Sequence, residues 1–250
     1  MQRTSQSIDL PQKHARAKHK HMFDASQPAY DRLRKIYAEK TKQIVAWTGA
    51  GLSVVAGLPT WPDLRKRLCE VAEKTAIHQE KNAQTRTLAL KSLAESETDL
   101  WQAFEHLKNA IGSTTFRAEI KEAFAPAGSA KIPTIYSLLW QLGIRGILNL
   151  NLDGLASRAS GEVFSGKKRV VEFTGKNAAG HGQAIHTGGT PFIGNLHGVI
   201  EDENSWVFTK SQLAELFETR GYLDFITTLA QTRALIFVGM SADDVRLGGN

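Results

Sequence analysis

The segment Gly49-Ala50-Gly51-Leu52-Ser53 is the part of this sequence best suited to hold a phosphate group. It follows the apolar run Gln43–Trp47, so the pattern predicts a buried strand that turns sharply into a helix. Glycine lets the backbone approach a pyrophosphate closely, and the first free N–H groups of a helix point at the anion. Because the third glycine of the usual dinucleotide fingerprint is absent, a purely structural turn is the alternative.

Polar or small residues also follow three further apolar runs. Such runs predict buried strands, and in an open parallel sheet the ligand binds at the carboxyl ends of the strands. The sequence therefore predicts one ligand crevice that all four segments share. The three segments are Asn151-Leu152-Asp153-Gly154 after Gly146–Leu150, His197-Gly198 after Pro191–Leu196, and Gly239-Met240-Ser241 after Ala234–Val238.

Some of these polar residues have a structural interpretation as well. An asparagine before Asp-Gly, as at Asn151, is a common turn former. Asp243 and Asp244 follow the last glycine turn and are interpreted as helix-capping residues. The acidic run Glu201–Glu203 lacks metal-ligand spacing and is interpreted as solvated.

His197 is the candidate general base, because the unperturbed pKa of histidine lies close to neutral pH. It follows an apolar strand and precedes Gly198. His181 and His186 lie in the glycine-rich segment Gly175–Gly189, so either of them can also approach the crevice.

The elements that must position these residues alternate between strand and helix. Apolar residues at three- and four-residue intervals predict four consecutive helices over Pro62–Phe124, closed by a loop at Ala125–Ser129. This order predicts an α/β fold with a doubly wound, mostly parallel, Rossmann-like sheet and a helical insertion at about 62–124. The remaining predictions are helices at Thr134–Leu142, Ser211–Phe217 and Tyr222–Ala230, and short strands at Arg169–Phe173, Pro191–Leu196 and Trp206–Phe208.

Composition limits the class of protein. With 250 residues, of which 42% are hydrophobic, the chain can bury a sizeable core as one domain. It has no apolar run of about 18 residues and no apolar signal centre at the N-terminus, so we expect a cytoplasmic protein without membrane contact. The single cysteine, Cys69, excludes an internal disulfide and a cysteine-rich zinc site, and its context predicts a thiol on a helix face.

The two ends of the chain carry separate expectations. Five basic and two acidic residues fall in the first 24 positions, which gives this segment +3 of the net charge of +6. We interpret residues 1–28 as a flexible basic arm, with contact to nucleic acid as the alternative. The sequence stops a few residues after Ala234–Val238, which indicates a truncation or a larger parent protein around the domain at 29–250.

In this order the four segments resemble the hallmark motifs of the sirtuin NAD-binding domain: a Gly-Ala-Gly-x-Ser turn, an Asn-x-Asp loop, a His-Gly pair and a Gly-x-Ser turn. The resemblance spans about Gln43–Asp244 and implies that NAD is bound. Cleavage of its nicotinamide–ribose bond passes through an oxocarbenium-like state, which suits a carboxylate, an amide and a base. The implied roles are phosphate binding for Gly49, Ala50, Gly51 and Ser53, adenosine contact for Gly239 and Ser241, ribose contact for Asn151 and Asp153, and general base for His197.

Departures from the deacylating sirtuins point to one branch of this family. Those enzymes typically carry four zinc-binding cysteines and an arginine soon after the Gly-x-Pro turn, whereas this chain has one cysteine and continues with Thr60-Trp61-Pro62. The sequence is similar instead to divergent sirtuin-like domains of bacterial antiviral systems, which resemble NAD hydrolases. This resemblance predicts no zinc, and it adds Gly57 and Trp61 to the cofactor site. The implied role is NAD depletion during abortive infection.

Two other functions stay open. A protein deacylase or ADP-ribosyltransferase uses the same bond cleavage with a different acceptor, and a non-catalytic module would sense NAD or ADP-ribose without consuming it. The resemblance further implies a homo-oligomer, or a defence-system partner such as an ATPase or a nucleic-acid sensor.

Overall fold

Parallel strands form one sheet in the computed structural model, which describes residues 26–40, 44–182 and 189–240. The strands are β1 (Ile44–Thr48), β2 (Gly146–Asn149), β3 (Val171–Thr174), β4 (Phe192–Asn195) and β5 (Ala234–Val238). Their order across the sheet is β3-β4-β2-β1-β5, and every neighbouring pair is parallel. The predicted α/β, Rossmann-like sheet is confirmed.

Helices connect the strands and cover the sheet. Those before β2 are α1 (Pro28–Lys40), α2 (Ala50–Val55), α3 (Trp61–Ile77), α4 (Lys81–Ser96), α5 (Leu100–Ile111), α6 (Ser113–Phe124) and α7 (Thr134–Gln141). Those after β2 are α8 (Leu155–Phe164), α9 (Lys210–Glu218) and α10 (Arg220–Thr232). Short 3-10 helices lie at Ala125–Gly128, Gly175–His181 and Glu203–Ser205, so most of the predicted loop at Ala125–Ser129 is a 3-10 turn.

Helices α3 to α6 occupy the segment for which the sequence predicts four helices. Thr60 and Asp63 form a reciprocal capping box that begins α3, and the Asp99 carboxylate caps α5 by accepting from the Trp101 N–H. The thiol of Cys69 lies on α3 and is buried in the core. Local capping and apolar periodicity are therefore enough to define this helical insertion.

Alternate residues of each strand face two different cores. Ile44, Ala46 and Ile147 belong to a core that they share with buried residues of α3 to α8. Val45 and Leu148 point into a second core, whose helical members come largely from α9 and α10. Helices thus lie on both faces of the sheet, as a doubly wound fold requires.

The strand register brings the ends of four neighbouring strands to one level. Thr48 pairs with Asn149 on one side and with Val238 on the other, and Asn149 pairs with Asn195. The loops after β4, β2, β1 and β5 therefore leave the sheet side by side. These are the four loops that carry the segments singled out in the sequence.

The predicted strand at Trp206–Phe208 is wrong. These residues are buried and lie next to the loop after β4, where the Val207 N–H donates to the His197 carbonyl, but they join no strand. The apolar run reflects burial rather than sheet pairing. The basic arm at residues 1–24, His186, Ser241, Asp243 and Asp244 lie outside the described residues.

None of the helices among the described residues is both long enough and apolar enough to span a bilayer.

Candidate functional site

The glycine turn after β1 packs directly against the turn after β5. The Gly49 N–H donates to the Val238 carbonyl at 3.1 Å, and the Gly51 N–H donates to the Gly239 carbonyl at 2.8 Å. A Cβ atom at Gly51 would lie 2.8 Å from that same carbonyl oxygen. Glycine is thus required at position 51 by contact between two turns, and phosphate binding by Gly49, Ala50 and Gly51 stays a prediction.

Gly57 and Gly239 adopt backbone conformations that disfavour other residues. Gly57 has φ +81° and closes the short helix α2, where its N–H donates to the Val54 carbonyl at 2.9 Å. Gly239 has φ +67°, and a Cβ there would meet Leu52. Glycine at both positions is explained by the backbone conformation, and the predicted cofactor contacts stay a prediction.

Asp153 and Ser53 join the loop after β2 to helix α2. Asp153 is only 3% exposed, and its Oδ2 accepts a short hydrogen bond from the Ser53 hydroxyl. The Leu155 N–H donates to Oδ1 at 3.0 Å. Burial raises the pKa of Asp153, while these two donors act in the opposite direction.

Asn151 lies between the glycine turn and helix α7. The residue is only 7% exposed, and its side-chain Nδ2 donates to the Gly49 carbonyl at 2.9 Å. The same nitrogen is 3.5 Å from the hydroxyl of Tyr136, a fully buried residue of α7. The predicted Asn-x-Asp loop and glycine turn are therefore in direct contact.

His197 is buried between aromatic residues of the helical insertion. Its ring meets Trp101 edge-on at 5.0 Å between centroids and Trp61 at 6.2 Å. Burial lowers the pKa of His197 to about 4, and a hydrogen bond to the Leu150 backbone opposes the shift. The imidazole is thus neutral near pH 7, and its Nδ1 has no partner among the described residues.

A small, partly open pocket lies where these loops meet the helical insertion. Ala50, Ser53, Trp61 and Asn151 are the predicted site residues that line it. Asp153 and His197 do not line it: Asp153 is hydrogen-bonded to the lining residue Ser53, and the His197 ring packs against the lining residue Trp61. The remaining lining residues are Pro59, Thr60, Leu64, Phe124, Leu150, Leu152 and Phe208.

A comparison with known protein families matches part of the chain to one family. Residues 145–248 match the SIR2-like domain family, and this range includes the Asn-x-Asp loop, the His-Gly pair and the turn at Gly239. This part of the chain is similar to a SIR2-like domain. The similarity points to an NAD-related function. No curated protein matches the chain.

The sequence interpretation missed a polar network that contacts the pocket-lining residue Asn151. Thr48, Asn149 and Asn195 end three adjacent strands, and all three side chains are buried. Asn149 lies between the other two and is hydrogen-bonded to both. Tyr136 adds a buried hydroxyl from α7. One signal was present in the sequence: Asn149 and Asn195 each end an apolar strand two residues before a candidate site residue.

In the acidic run after the His-Gly pair, Glu201 and Asp202 are exposed, as the sequence predicts, whereas Glu203 is partly buried. Glu203 forms ion pairs with Arg117 at 3.3 Å and with Lys121, both on α6. The Lys121 ammonium is the main reason why the pKa of Glu203 is lowered. Glu203 therefore connects the loop after His197 to the helical insertion.

Histidine, cysteine and carboxylate side chains do not assemble into a metal-binding group of three or more within the ranges 26–40, 44–182 and 189–240.

Proposed function

We propose that the chain is an NAD hydrolase, which cleaves the nicotinamide–ribose bond to give nicotinamide and ADP-ribose. The observation that carries the proposal is the Asn151 amide on the wall of a pocket bounded by the glycine turn on one side and Trp61 on the other. An amide in this position can orient an attacking water by hydrogen bonds, while the surrounding apolar side chains limit access of bulk water.

The chemistry assigns one role to each polar residue. The bond between C1′ of the ribose and the nicotinamide nitrogen breaks, nicotinamide leaves with the bonding electron pair, and water adds to C1′. The carboxylate of Asp153 favours the positive charge that develops on the ribose. The proton that water loses needs an acceptor, and His197 is a neutral imidazole above pH 4 to 5 because its pKa is about 4.

Two features favour water over a protein as the acceptor. The sequence has a single cysteine, so it cannot supply the four-cysteine zinc module that accompanies the acyl-lysine cleft in deacylating sirtuins. Trp61 and Phe124 line the pocket from the helical insertion, and Phe208 lines it from the segment after β4, which leaves a narrow apolar space rather than an open peptide groove.

In the cell, this activity would deplete NAD. We propose that the protein is the NAD-consuming effector of a bacterial antiphage system, and that a homo-oligomer or a partner protein switches it on. The resemblance of Gly57-Leu58-Pro59-x-Trp61 to the sirtuin-like domains of such systems supports this role.

Chromatography of NAD, nicotinamide and ADP-ribose after incubation with purified protein tests the proposal, with several protein concentrations to include oligomers. We expect wild type to release nicotinamide and ADP-ribose in equal amounts. Asn151→Ala and His197→Ala should reduce kcat by at least about 100-fold. Asn82→Ala, the same change at an exposed position of α4, serves as the control and should keep wild-type turnover.

Circular dichroism must show that both site variants are folded. Full turnover in either folded variant would contradict the assigned roles. Nicotinamide release that requires an acyl-lysine peptide or a protein acceptor would favour a deacylase or ADP-ribosyltransferase. NAD binding without any product would favour a sensor module that binds NAD and does not consume it.

A further inference from the structure

The side-chain amide of Asn149 is fully buried and makes four polar contacts. Its Oδ1 accepts from the Asn151 N–H at 3.2 Å and from the Thr48 hydroxyl at 3.0 Å. Its Nδ2 donates to the Asn151 carbonyl at 2.8 Å and to Asn195 Oδ1 at 3.0 Å. A single side chain therefore holds both backbone polar groups of Asn151.

Asn151 needs such a partner because the sheet ends before it. The last ladder bonds on either side of β2 are those from the Leu150 N–H to the Thr48 carbonyl and from the Leu196 N–H to the Asn149 carbonyl. Beyond this level no neighbouring strand can pair with the backbone of Asn151, which is nevertheless buried. Buried backbone N–H and C=O groups must find partners, and the Asn149 amide supplies both.

We propose that Asn149 is a positioning residue for the reaction, which fixes the place and direction from which the Asn151 side chain meets the substrate. This inference rests on the proposed NAD hydrolase function. Because Asn149 also donates to Asn195, it links the loop that carries Asn151 to the strand that leads into His197.

Only a neutral amide can make this set of contacts. The arrangement needs two donors and an acceptor on one short side chain, which an ionised carboxylate or an aliphatic residue cannot provide. Thr48 and Asn195 orient the amide, because one donates to its oxygen and the other accepts from its nitrogen.

Asn149→Asp tests the proposal, since it keeps the size of the side chain and removes both donors. We expect kcat for NAD hydrolysis to fall by about 10- to 100-fold with KM within about threefold, because a small misplacement of a reacting group is costly. Hydrogen exchange at the Asn151 amide, followed by NMR, should accelerate by at least about tenfold as the loop loosens. Activity relative to wild type should partly return as the pH is lowered, since a protonated Asp regains one donor.

Asn195→Asp is the matched comparison. It introduces the same buried acid at the paired position of β4, but it keeps the oxygen that accepts from Asn149 Nδ2. The Asn151 amide should therefore keep more of its protection in Asn195→Asp than in Asn149→Asp. Equal loss of protection in both variants would mean that a buried acid loosens the loop, and would overturn the specific role of Asn149.

Two readouts separate this inference from the proposed function. If wild type does not hydrolyse NAD, the function fails, and exchange at Asn151 alone decides whether Asn149 holds the loop. If exchange accelerates while kcat stays at the wild-type value, the positioning role is wrong. If Asn149→Asp does not fold, Asn149→Ser replaces it, because serine is neutral and cannot reach both backbone groups of Asn151; the same two readouts then apply.

Discussion

His197 is the residue that links the candidate site most directly to pH, because its imidazole is buried and neutral. His197 is 6% exposed and packs against Trp61 and Trp101, and its pKa is lowered to about 4. The unperturbed pKa of histidine is about 6.5. Below that pH the unfolded chain takes up a proton at this position, whereas the folded protein does not until the pH approaches 4. The contribution of His197 to stability is therefore complete above pH 6.5 and is lost as the pH falls toward 4.

We predict that His197→Gln loses less stability between pH 7 and pH 5 than wild type does, because it removes the group that protonates on unfolding. Urea unfolding at the two pH values measures the difference. Carboxylates with lowered pKa values, such as Asp63 and Glu105, change the stability of the protein only at lower pH. The same substitution at the exposed His78 is the control; a wild-type pH dependence in His197→Gln would show that the buried ring titrates normally.

At the scale of elements, the contact between the turns after β1 and β5 holds the segment Gly49–Ser53 against Gly239. Gly51 and Gly239 meet backbone to backbone, so neither side can move away from an added methyl group by changing a rotamer. The edge of this contact is also where the phosphate groups of NAD are predicted to lie.

Gly51→Ala should destabilise the protein by about 1–3 kcal/mol, because the added Cβ would lie 2.8 Å from the Gly239 oxygen. Gly161→Ala is the matched control, since Gly161 lies on an exposed face of α8 with no atom within 4 Å of an added Cβ. Alanine there should stabilise the helix by about 0.5–1 kcal/mol. Chemical denaturation of both variants gives the two values, and a neutral Gly51→Ala would mean that the turns separate easily.

For the whole molecule, ligand binding should appear as added stability. NAD present at about 100 times its Kd adds about 2.7 kcal/mol, which for a chain of this size raises Tm by about 5–11 °C. Differential scanning fluorimetry with NAD and separately with ADP-ribose distinguishes substrate from product. If neither compound shifts Tm at millimolar concentration, the pocket is not an NAD site in this chain.

The sequence predicted the parts of the molecule that local physics determines. β5 at Ala234–Val238 and the helices between Trp61 and Phe124 follow from apolar runs, spacing and caps. The convergence of Ser53 with Asp153 was predicted only as a shared crevice, since contacts across a hundred residues need the strand order.

What the sequence could not predict depends on tertiary packing. The extended run Trp206–Phe208 has the composition of a strand, but its backbone bonds go to His197 and Gln212 because no strand lies beside it. In the sequence, Asn149 cannot be told from any other strand end, because its contacts depend on the register that places it between Thr48 and Asn195. The ion pairs of Glu203 likewise depend on where α6 lies.

The position of β1 between β2 and β5 has a consequence for biosynthesis. Its neighbours in space come late in the chain, since Val45 pairs with Gly146 on one side and with Leu235 on the other. At about 5–20 residues per second, a ribosome needs about 5–20 s to deliver the first neighbour and about 10–40 s for the second. During that interval the apolar run Ile44–Ala46 has no sheet to join, while the helical insertion can already fold through contacts close in sequence. Nascent chains of this protein therefore pass through a period in which β1 is unpaired and its apolar side chains are exposed to aggregation.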